Sequence, residues 1–356
     1  MDNFIPKMTF DFNITQTVLQ LIAHVDEFRG KWSYGTRKQN RYLKELRKIA
    51  TIESIGSSTR IEGATLTDAE VKQLLDNIKI TKLKNRDQQE VYGYYEVLEL
   101  IFEHHKDIQL TESYLMQLHH MLLKYSSKDS RHRGHYKSLP NKVIATYPTG
   151  EQRVIFATTE PHLVESEMHE LLNWTNSQLA QKTIHPLLVI GSFVYDFLSI
   201  HPYQDGNGRM SRLITTLCLL QSDYGFIEYI SFENHIEQHK KAYYEALMAG
   251  QRNRGTKKER IDKWMLFFLG SLKSLTEKLE QKYDLFKSKG GYLNERQKVI
   301  KAFIREHQPV KAGDVQRHFP DTPMPTLKKD LLYMRDEQIL TMIGSGKGSI
   351  YVMNEE

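Results

Sequence analysis

The stretch His201-Pro-Tyr-Gln-Asp-Gly-Asn-Gly-Arg-Met-Ser-Arg212 decides the fold, because it joins two apolar segments through a turn rich in glycine and charge. The segments on either side, Leu187 to Ile200 and Leu213 to Leu220, both have helical periodicity. Asp205-Gly-Asn-Gly208 is therefore predicted to be a tight turn, in which glycine and asparagine adopt positive φ. Such a turn at a helix N-terminus directs backbone N–H groups to one point, which predicts an anion site.

Two arginines strengthen this prediction. Arg209 and Arg212 are predicted to lie on one face in the first turn of the second helix, where their charges oppose the helix dipole. That arrangement is costly unless a polyanion binds there. The alternative is a solvated turn with incidental arginines.

The segment resembles the signature of the Fic family, H-x-F-x-[D/E]-G-N-G-R-x-x-R, and departs from it only where Tyr203 replaces Phe. An aromatic ring at that position is expected to anchor the loop in the core, and the added hydroxyl needs a partner. Fic proteins typically transfer AMP from ATP to a hydroxyl side chain of a target protein. The resemblance covers roughly Tyr94 to Leu269, and it implies a mostly α fold: a Fic-type helical core with a β-hairpin flap.

Composition limits the class of protein. A chain of 356 residues predicts two to three domains, and a net charge of +5 argues by itself neither for nucleic acid nor for a membrane surface. The single cysteine, Cys218, excludes a disulfide framework and is expected to be buried and inert. No secretory signal is visible, and the longest apolar run, Pro186 to Ile200, is too short for a membrane span. We therefore expect a cytoplasmic protein without a membrane partner.

Helical periodicity dominates the rest of the chain. Further predicted helices are Val18–Arg29, Lys38–Arg60, Thr67–Asn77, Gln88–Phe102, Glu112–Leu123, Glu165–Leu179 and Ile261–Tyr283. Thr67 and Glu70 have the spacing of a capping box. A strand pair is predicted for Val143–Thr146 and Arg153–Phe156, on either side of Pro148-Thr-Gly150.

The C-terminal pattern is different. Lys287-Ser-Lys-Gly-Gly291 is predicted to be a linker, followed by helices over Glu295–Glu306, Lys311–Phe319 and Thr326–Glu337 and a hairpin with its turn at Gly344–Gly348. Three helices and a two-stranded wing resemble a winged-helix domain. The predicted domains are thus an N-terminal helical region (1–90), a Fic catalytic core (91–286) and a small winged-helix-like α/β domain (292–356). The cations that would suit DNA phosphate contact are Lys328, Lys329, Arg335 and Lys347, although a protein-binding face explains them equally well.

The resemblance and the residue chemistry together predict roles in the central motif. AMP transfer needs a base near the incoming hydroxyl, and His201 is the motif residue suited to that role near neutral pH. Asp205 is a hard oxygen ligand beside the phosphate cradle, which fits Mg²⁺. The residues expected to bind the phosphates of ATP are Gly206, Asn207 and Gly208 through backbone N–H groups, and Arg209 and Arg212 through charge-assisted bonds.

Resemblance outside the motif adds further site residues. Arg133-Gly-His-Tyr136 and the hairpin after it look like the family's lead-in and flap, whose edge pairs with the target segment as an added strand. Flap residues expected beside the nucleotide are Val143, Ile144, Ala145 and Thr146. Tyr243 and Tyr244 resemble the pair that borders adenine, and Gln251 follows where some members place an Asn.

Ser58-Thr-Arg-Ile-Glu-Gly63 resembles the family's inhibitory helix, [S/T]-x-x-x-E-[G/N]. Glu62 is expected in the last turn of a helix capped by Gly63, where a carboxylate opposes the dipole. Pairing Glu62 with Arg212 would relieve both unfavourable placements. The paired histidines lack ligands at metal-site spacing and are interpreted as surface or packing residues, namely His104 and His105, His119 and His120, and His132 and His135.

The resulting hypothesis is Mg²⁺-dependent transfer of AMP from ATP to a Ser, Thr or Tyr of a protein target, held low by Glu62. Self-modification and a homodimer are candidate properties. Two alternatives remain open: removal of AMP from a modified protein, with Glu62 activating a water, and a nucleotide-sensing regulator that binds DNA through its C-terminal domain. The same residues would serve transfer and removal of AMP, so the sequence does not separate these two directions.

Overall fold

Helices make up most of the part of the chain that the computed structural model describes, which is residues 4–35, 41–77, 83, 85–146, 152–288, 293–337, 339–344 and 346–354. The chain divides into a larger unit, Met1–Lys38 with Leu46–Glu277, and a smaller unit, Gln39–Glu45 with Lys278–Glu356. The predicted mostly α fold is confirmed. Among the described residues, every helix is too short or too polar to cross a membrane.

The first five helices are α1 (Phe12–Gly35), α2 (Arg41–Ile61), α3 (Asp68–Asp76), α4 (Arg86–His104) and α5 (Glu112–Leu122). All five were expected from apolar periodicity. The capping box predicted for α3 is present, since Thr67 accepts from the Glu70 N–H and the Glu70 carboxylate accepts from the Thr67 N–H. Lys38, the predicted start of α2, lies outside the described residues.

A two-stranded antiparallel hairpin follows, made of β1 (Lys142–Thr146) and β2 (Gln152–Ala157), with a register shift between Val143 and Ile144. The strands match the prediction. The predicted turn at 148–150 lies outside the described residues.

The remaining helices that begin in the larger unit are α6 (Val164–Gln181), α7 (Pro186–Ile200), α8 (Asn207–Gln221), α9 (Phe232–Gln238), α10 (Lys240–Gln251) and α11 (Asp262–Ser288). α7 packs against α6 and α8 and is buried along almost its whole length. Cys218 is fully buried in α8, as expected, and burial raises the pKa of its thiol to about 12.

Around the motif and the predicted linker, the structure differs from the sequence-based prediction. α8 begins at Asn207, so Asn207 and Gly208 are helical, and Arg212 lies beyond the first turn. Within the predicted turn only Gly206 has a positive φ, of 83°. α11 continues to Ser288, which places Lys287 and Ser288 in a helix rather than a linker, and 289–291 lie outside the described residues.

The smaller unit contains α12 (Glu295–His307), β3 (Val310–Lys311), α13 (Ala312–His318), α14 (Met324–Asp336), β4 (Leu340–Ile343) and β5 (Ile350–Met353). The strands form an antiparallel sheet in the order β3-β5-β4 around a separate apolar core. The predicted three helices and hairpin are present. β3 was missed because two residues are too short to show a period.

Candidate active site

His201 lies directly after the last residue of α7, with a left-handed backbone (φ 54°). Its N–H donates to the Phe197 carbonyl oxygen at 2.9 Å, and its ring Nδ1 is 3.3 Å from the Leu198 carbonyl oxygen. A carbonyl only accepts, so we assign the proton to Nδ1, which leaves Nε2 unprotonated. Burial lowers the pKa of His201 to about 4. The imidazole is therefore a neutral base at neutral pH.

Tyr203 anchors the loop that follows. The Asn207 side chain makes two hydrogen bonds to the Tyr203 backbone: Oδ1 accepts from the Tyr203 N–H at 2.8 Å, and Nδ2 donates to the Tyr203 carbonyl oxygen at 2.7 Å. The ring of His119 stacks on the Tyr203 ring, with centroids 3.8 Å apart. The Tyr203 ring is buried as expected, but its hydroxyl has no hydrogen-bond partner among the described residues.

His119 supports the turn through hydrogen bonds of its ring. Its Nδ1 accepts from the Gly134 N–H at 2.8 Å, so Nε2 carries the proton and donates to the Asp205 carbonyl oxygen at 3.0 Å. Burial lowers the pKa of His119 to about 4, which keeps this tautomer neutral. His119 is thus a packing residue of the turn, although its spacing in the sequence gave no sign of that contact.

The Asp205 carboxylate lies at the mouth of the turn with its side chain 30% exposed. It accepts from the Gly206 N–H at 2.6 Å and pairs with Arg209 at 3.1 Å. Burial acts to raise the pKa of Asp205, but the Arg209 charge, the Gly206 N–H and the Arg86 charge together outweigh it, and the pKa is lowered. No cluster of three or more His, Cys, Asp or Glu in the described part of the chain could hold a metal alone. One ionised carboxylate beside an anion site fits Mg²⁺ that is shared with phosphates.

Arg209 differs from its predicted role as a phosphate ligand. Its side chain is 1% exposed and lies beside Asp205 and Glu90, with Nη1 3.4 Å from Glu90 Oε2. Arg209 does not line the cavity described below. Arg86, whose guanidinium is 3.6 Å from Asp205, bonds to Glu90 as well. Sequence reasoning missed Glu90 and Arg86, because α4 gave no signal beyond its amphipathic period.

Arg212 and Glu62 form the predicted pair. Arg212 Nη2 donates to Glu62 Oε1 at 2.8 Å and to the Ser58 carbonyl oxygen at 2.9 Å, and Nε donates to the Ser58 hydroxyl at 2.8 Å. α2 ends at Ile61, so Glu62 lies directly after the helix rather than in its last turn as expected, and Gly63 takes a left-handed φ of 105°. Burial acts to raise the pKa of Glu62, but Arg212 and then Arg209 outweigh it and lower the pKa.

The Glu62 carboxylate also lies against the backbone of the turn. A Cβ on Gly208 would collide with Glu62 Oε1. An oxygen-bearing group therefore already sits beside Gly208 and Arg212, in the anion site that the sequence predicts.

A cavity of about 230 Å³ extends from this site, slightly below the roughly 300–1,000 Å³ of typical small-ligand pockets. Glu62, His201, Asp205 and Arg212 line it, together with Gln204 and the segment from Gly206 to Gly208. The other lining residues are Phe156, Leu198, Tyr243, Tyr244, Leu247, Met248 and Gln251.

The predicted base-binding residues thus line one cavity with the motif. Tyr243 is 3% exposed and packs edge-on against Trp264, so it also belongs to the core. Gln251 Nε2 donates to the Ser199 hydroxyl at 3.0 Å, which leaves the amide oxygen as its available acceptor. The side chains of β1, Val143 to Thr146, lie outside the described residues, and their role stays a prediction.

Comparisons with known proteins match part of this chain to one protein family. Residues 109–219 match the model of the Fic/DOC family. The protein adenylyltransferase Fic of Drosophila grimshawi is 26% identical over 215 residues, 60% of this chain and 42% of that protein. Its counterpart in Aedes aegypti is 26% identical over 219 residues, 59% and 41%. The chain thus spans about two fifths of the length of these relatives.

One solved structure is similar over nearly the whole chain. A Fic family protein from Desulfovibrio desulfuricans G20 has a TM-score of 0.66 at 20% identity, covering 99% of this chain and 98% of that one. At this identity the likeness is one of fold.

Proposed function

Because residues 109–219 form a Fic/DOC family domain, we propose that this chain transfers AMP from ATP to a Ser, Thr or Tyr hydroxyl of a protein target. The observation that carries the proposal is the Glu62 carboxylate against Gly208 and 2.8 Å from Arg212. An internal anion in a backbone cradle, beside a partly apolar cavity and a neutral histidine, supports a nucleotide phosphate as the group that belongs there.

In this mechanism His201 Nε2 takes the proton of the incoming hydroxyl, whose oxygen attacks the α-phosphorus of ATP. The bond between the α-phosphorus and the bridging oxygen breaks, and pyrophosphate leaves. Arg212 and the turn N–H groups neutralise the departing phosphates. Asp205 would hold Mg²⁺, which supplies further charge neutralisation on the phosphates.

Glu62 restrains this reaction in our proposal. The pair with Arg212 neutralises the guanidinium, and the carboxylate fills the space over Gly208 that a terminal phosphate would need. ATP then binds in a pose unsuited to in-line attack. Restraint needs little energy, because about 1.4 kcal/mol shifts a two-state population tenfold.

We predict that Glu62→Gly raises AMP transfer, self-modification included, by well over about tenfold, since a modest pair energy suffices for that factor. Mass spectrometry after incubation with Mg²⁺ and each nucleoside triphosphate would detect an adduct of AMP mass on the chain. Labelled ATP would give the rate. The transfer rate of Glu62→Gln, which keeps the side-chain size and removes the charge, should fall between those of the parent and Glu62→Gly.

Glu62→Gly/Arg212→Ala should return to low activity, because the phosphate contact is then missing. Glu103→Gly, an exposed site on α4, is the control for the glycine substitution and should leave transfer unchanged. If Glu62→Gly transfers no faster than the parent, the restraint by Glu62 is wrong. If no variant transfers any nucleotide, the proposed activity is wrong.

A second candidate is the reverse reaction, removal of AMP from a modified protein. Its support is the position of Glu62, one-third exposed on the same cavity as His201, where a carboxylate could activate a water. A supplied AMP-modified protein would separate the directions, since Glu62→Gly then abolishes release instead of stimulating transfer.

A DNA-binding role is supported by the smaller unit alone. Lys328 and Lys329 are exposed on α14, whereas Arg335 pairs with Asp336 at 2.7 Å. The side chain of Lys347 lies outside the described residues. Duplex binding that weakens steeply with salt would favour this candidate.

A further inference from the structure

Lys137 connects three places in the larger unit that are far apart in the sequence. Its ammonium group donates to Asn141 Oδ1 at 2.8 Å, to the Thr158 hydroxyl at 2.7 Å and to the Ile200 carbonyl oxygen at 3.2 Å. Asn141 is the residue before β1, Thr158 is the residue after β2, and Ile200 is the last residue of α7. One cation therefore ties both ends of the hairpin to the residue that precedes His201.

The contacts around this junction reinforce it. The Lys137 N–H donates to the Pro202 carbonyl oxygen at 2.8 Å, and Asn141 Nδ2 donates to the Tyr203 carbonyl oxygen at 2.9 Å. The Thr158 hydroxyl is 2.9 Å from the Asn141 carbonyl oxygen. Backbone carbonyls on both sides of His201 are thus held from the hairpin side.

The cost of this arrangement indicates a use beyond packing. Lys137 is 3% exposed, and a buried ammonium is expensive unless each of its N–H groups finds an acceptor. All three do. The charge also lies at the C-terminal end of α7, where the helix dipole favours a cation.

We propose that Lys137 is a positioning residue for AMP transfer: it fixes the base of the β1–β2 hairpin to the segment carrying His201, so that the acceptor hydroxyl and the base meet in one geometry. This rests on the proposed function. It extends that function by naming the group that keeps the hairpin and the base in register.

The same contact has an electrostatic consequence. Burial is the main cause of the lowered pKa of His201, and the Lys137 charge lowers it further, against the raising effects of the Leu198 carbonyl, Glu62 and Asp205. The pKa of Lys137 itself is lowered to about 8 by burial and then by Arg254, whereas Glu160 and Glu167 raise it. Removing the Lys137 charge should therefore raise the pKa of His201.

The first test needs no activity. In protein with isotopically labelled histidine, NMR titration should show a higher His201 pKa in Lys137→Met than in the parent, with the signal assigned by its loss in His201→Ala. Lys106→Met, an exposed lysine in the same unit, should leave that pKa unchanged. Amide exchange should speed up together in 142–157 and 198–203. An unchanged pKa with unchanged exchange overturns the proposal.

The second test uses transfer of labelled AMP in the Glu62→Gly background. Lys137→Met should lower kcat about a hundredfold, the cost of displacing a reacting group by about an ångström, while KM for ATP stays within about threefold. Thr158→Val, a milder change, should lower kcat in the same direction. Because both act through one junction, the double variant should lose little more than Lys137→Met alone.

The outcomes separate the two proposals. Equal losses in kcat and ATP affinity, or additive losses in the double variant, would show that Lys137 only stabilises the fold. Absence of transfer in Glu62→Gly itself would refute the proposed function. The titration and exchange results then still decide whether Lys137 holds the His201 segment to the hairpin.

Discussion

At the residue scale, the tautomer of His201 decides what the site can do. Nδ1 faces a carbonyl oxygen, so the free lone pair is on Nε2. A pKa of about 4 means that this lone pair is available throughout the neutral range. Such an imidazole is a weak base, which suits a proton that leaves only as the new phosphorus–oxygen bond forms.

We predict that His201→Ala lowers AMP transfer by about 10²- to 10⁴-fold, the usual contribution of a general base, and leaves ATP affinity nearly intact. The base works unprotonated, so transfer in the parent is present above the pKa and is lost only as pH falls through about 4. Rate and affinity measured against pH would check both statements.

The exposed His135→Ala is a matched control and should behave like the parent. An acid limb near the ordinary histidine value of about 6.5 would contradict the assigned environment.

His201, Asp205 and Arg212 could be predicted as site residues from the sequence, because these residue types in this order within twelve residues indicate the chemistry of the site. It did not predict that Arg209 faces away from the cavity, since α8 is buried on nearly all sides and its periodicity does not reveal which side meets the ligand. Lys137 was missed, and the contact of His119 with Asp205 was not foreseen, because their partners are far away in the chain.

At the element scale, most amphipathic helices were predictable, but α9 and α10 were missed. α9 has only seven residues, so it shows fewer than two turns of a helical period. The buried face of α10 includes Ala246 and Gly250, whose small side chains weaken the apolar signal. α8 was placed too late because its first turn consists of motif residues chosen for ligand contact.

The close approach of α4 and α5 provides a test. A Cβ on Gly93 would collide with the Leu122 carbonyl oxygen, a backbone atom that cannot move alone. We expect Gly93→Ala to lower the free energy of unfolding by about 1–3 kcal/mol, as overpacking does. Urea denaturation would measure it.

Gly30→Ala is the matched comparison, because Gly30 is exposed within α1 and a Cβ there meets nothing within 4 Å. This change should raise the free energy of unfolding by up to about 1 kcal/mol through helix propensity. Equal signs for the two variants would mean that α4 and α5 do not pack as described.

At the scale of the whole molecule, periodicity located the elements but did not reveal which of them group together. The start of α2, residues 41–45, belongs with the C-terminal residues rather than with the rest of that helix. Buried Tyr42 shows why, since its hydroxyl is 3.5 Å from that of Tyr333. Such a contact joins distant segments, and one sequence read locally gives no sign of it.

The buried thiol of α8 gives the chain a built-in reporter. Cys218 is the single cysteine, it is fully buried, and its pKa of about 12 suppresses the reactive thiolate. A thiol reagent should therefore modify the native protein only as fast as the larger unit opens. Free nucleotide at about one hundred times its Kd should slow labelling about a hundredfold. A ligand that binds only the folded state lowers the population of the opened state by that factor. Mass spectrometry of the labelling reaction with and without ATP would measure nucleotide binding to the unmodified protein. A labelling rate near that of a free thiol would contradict the burial of Cys218.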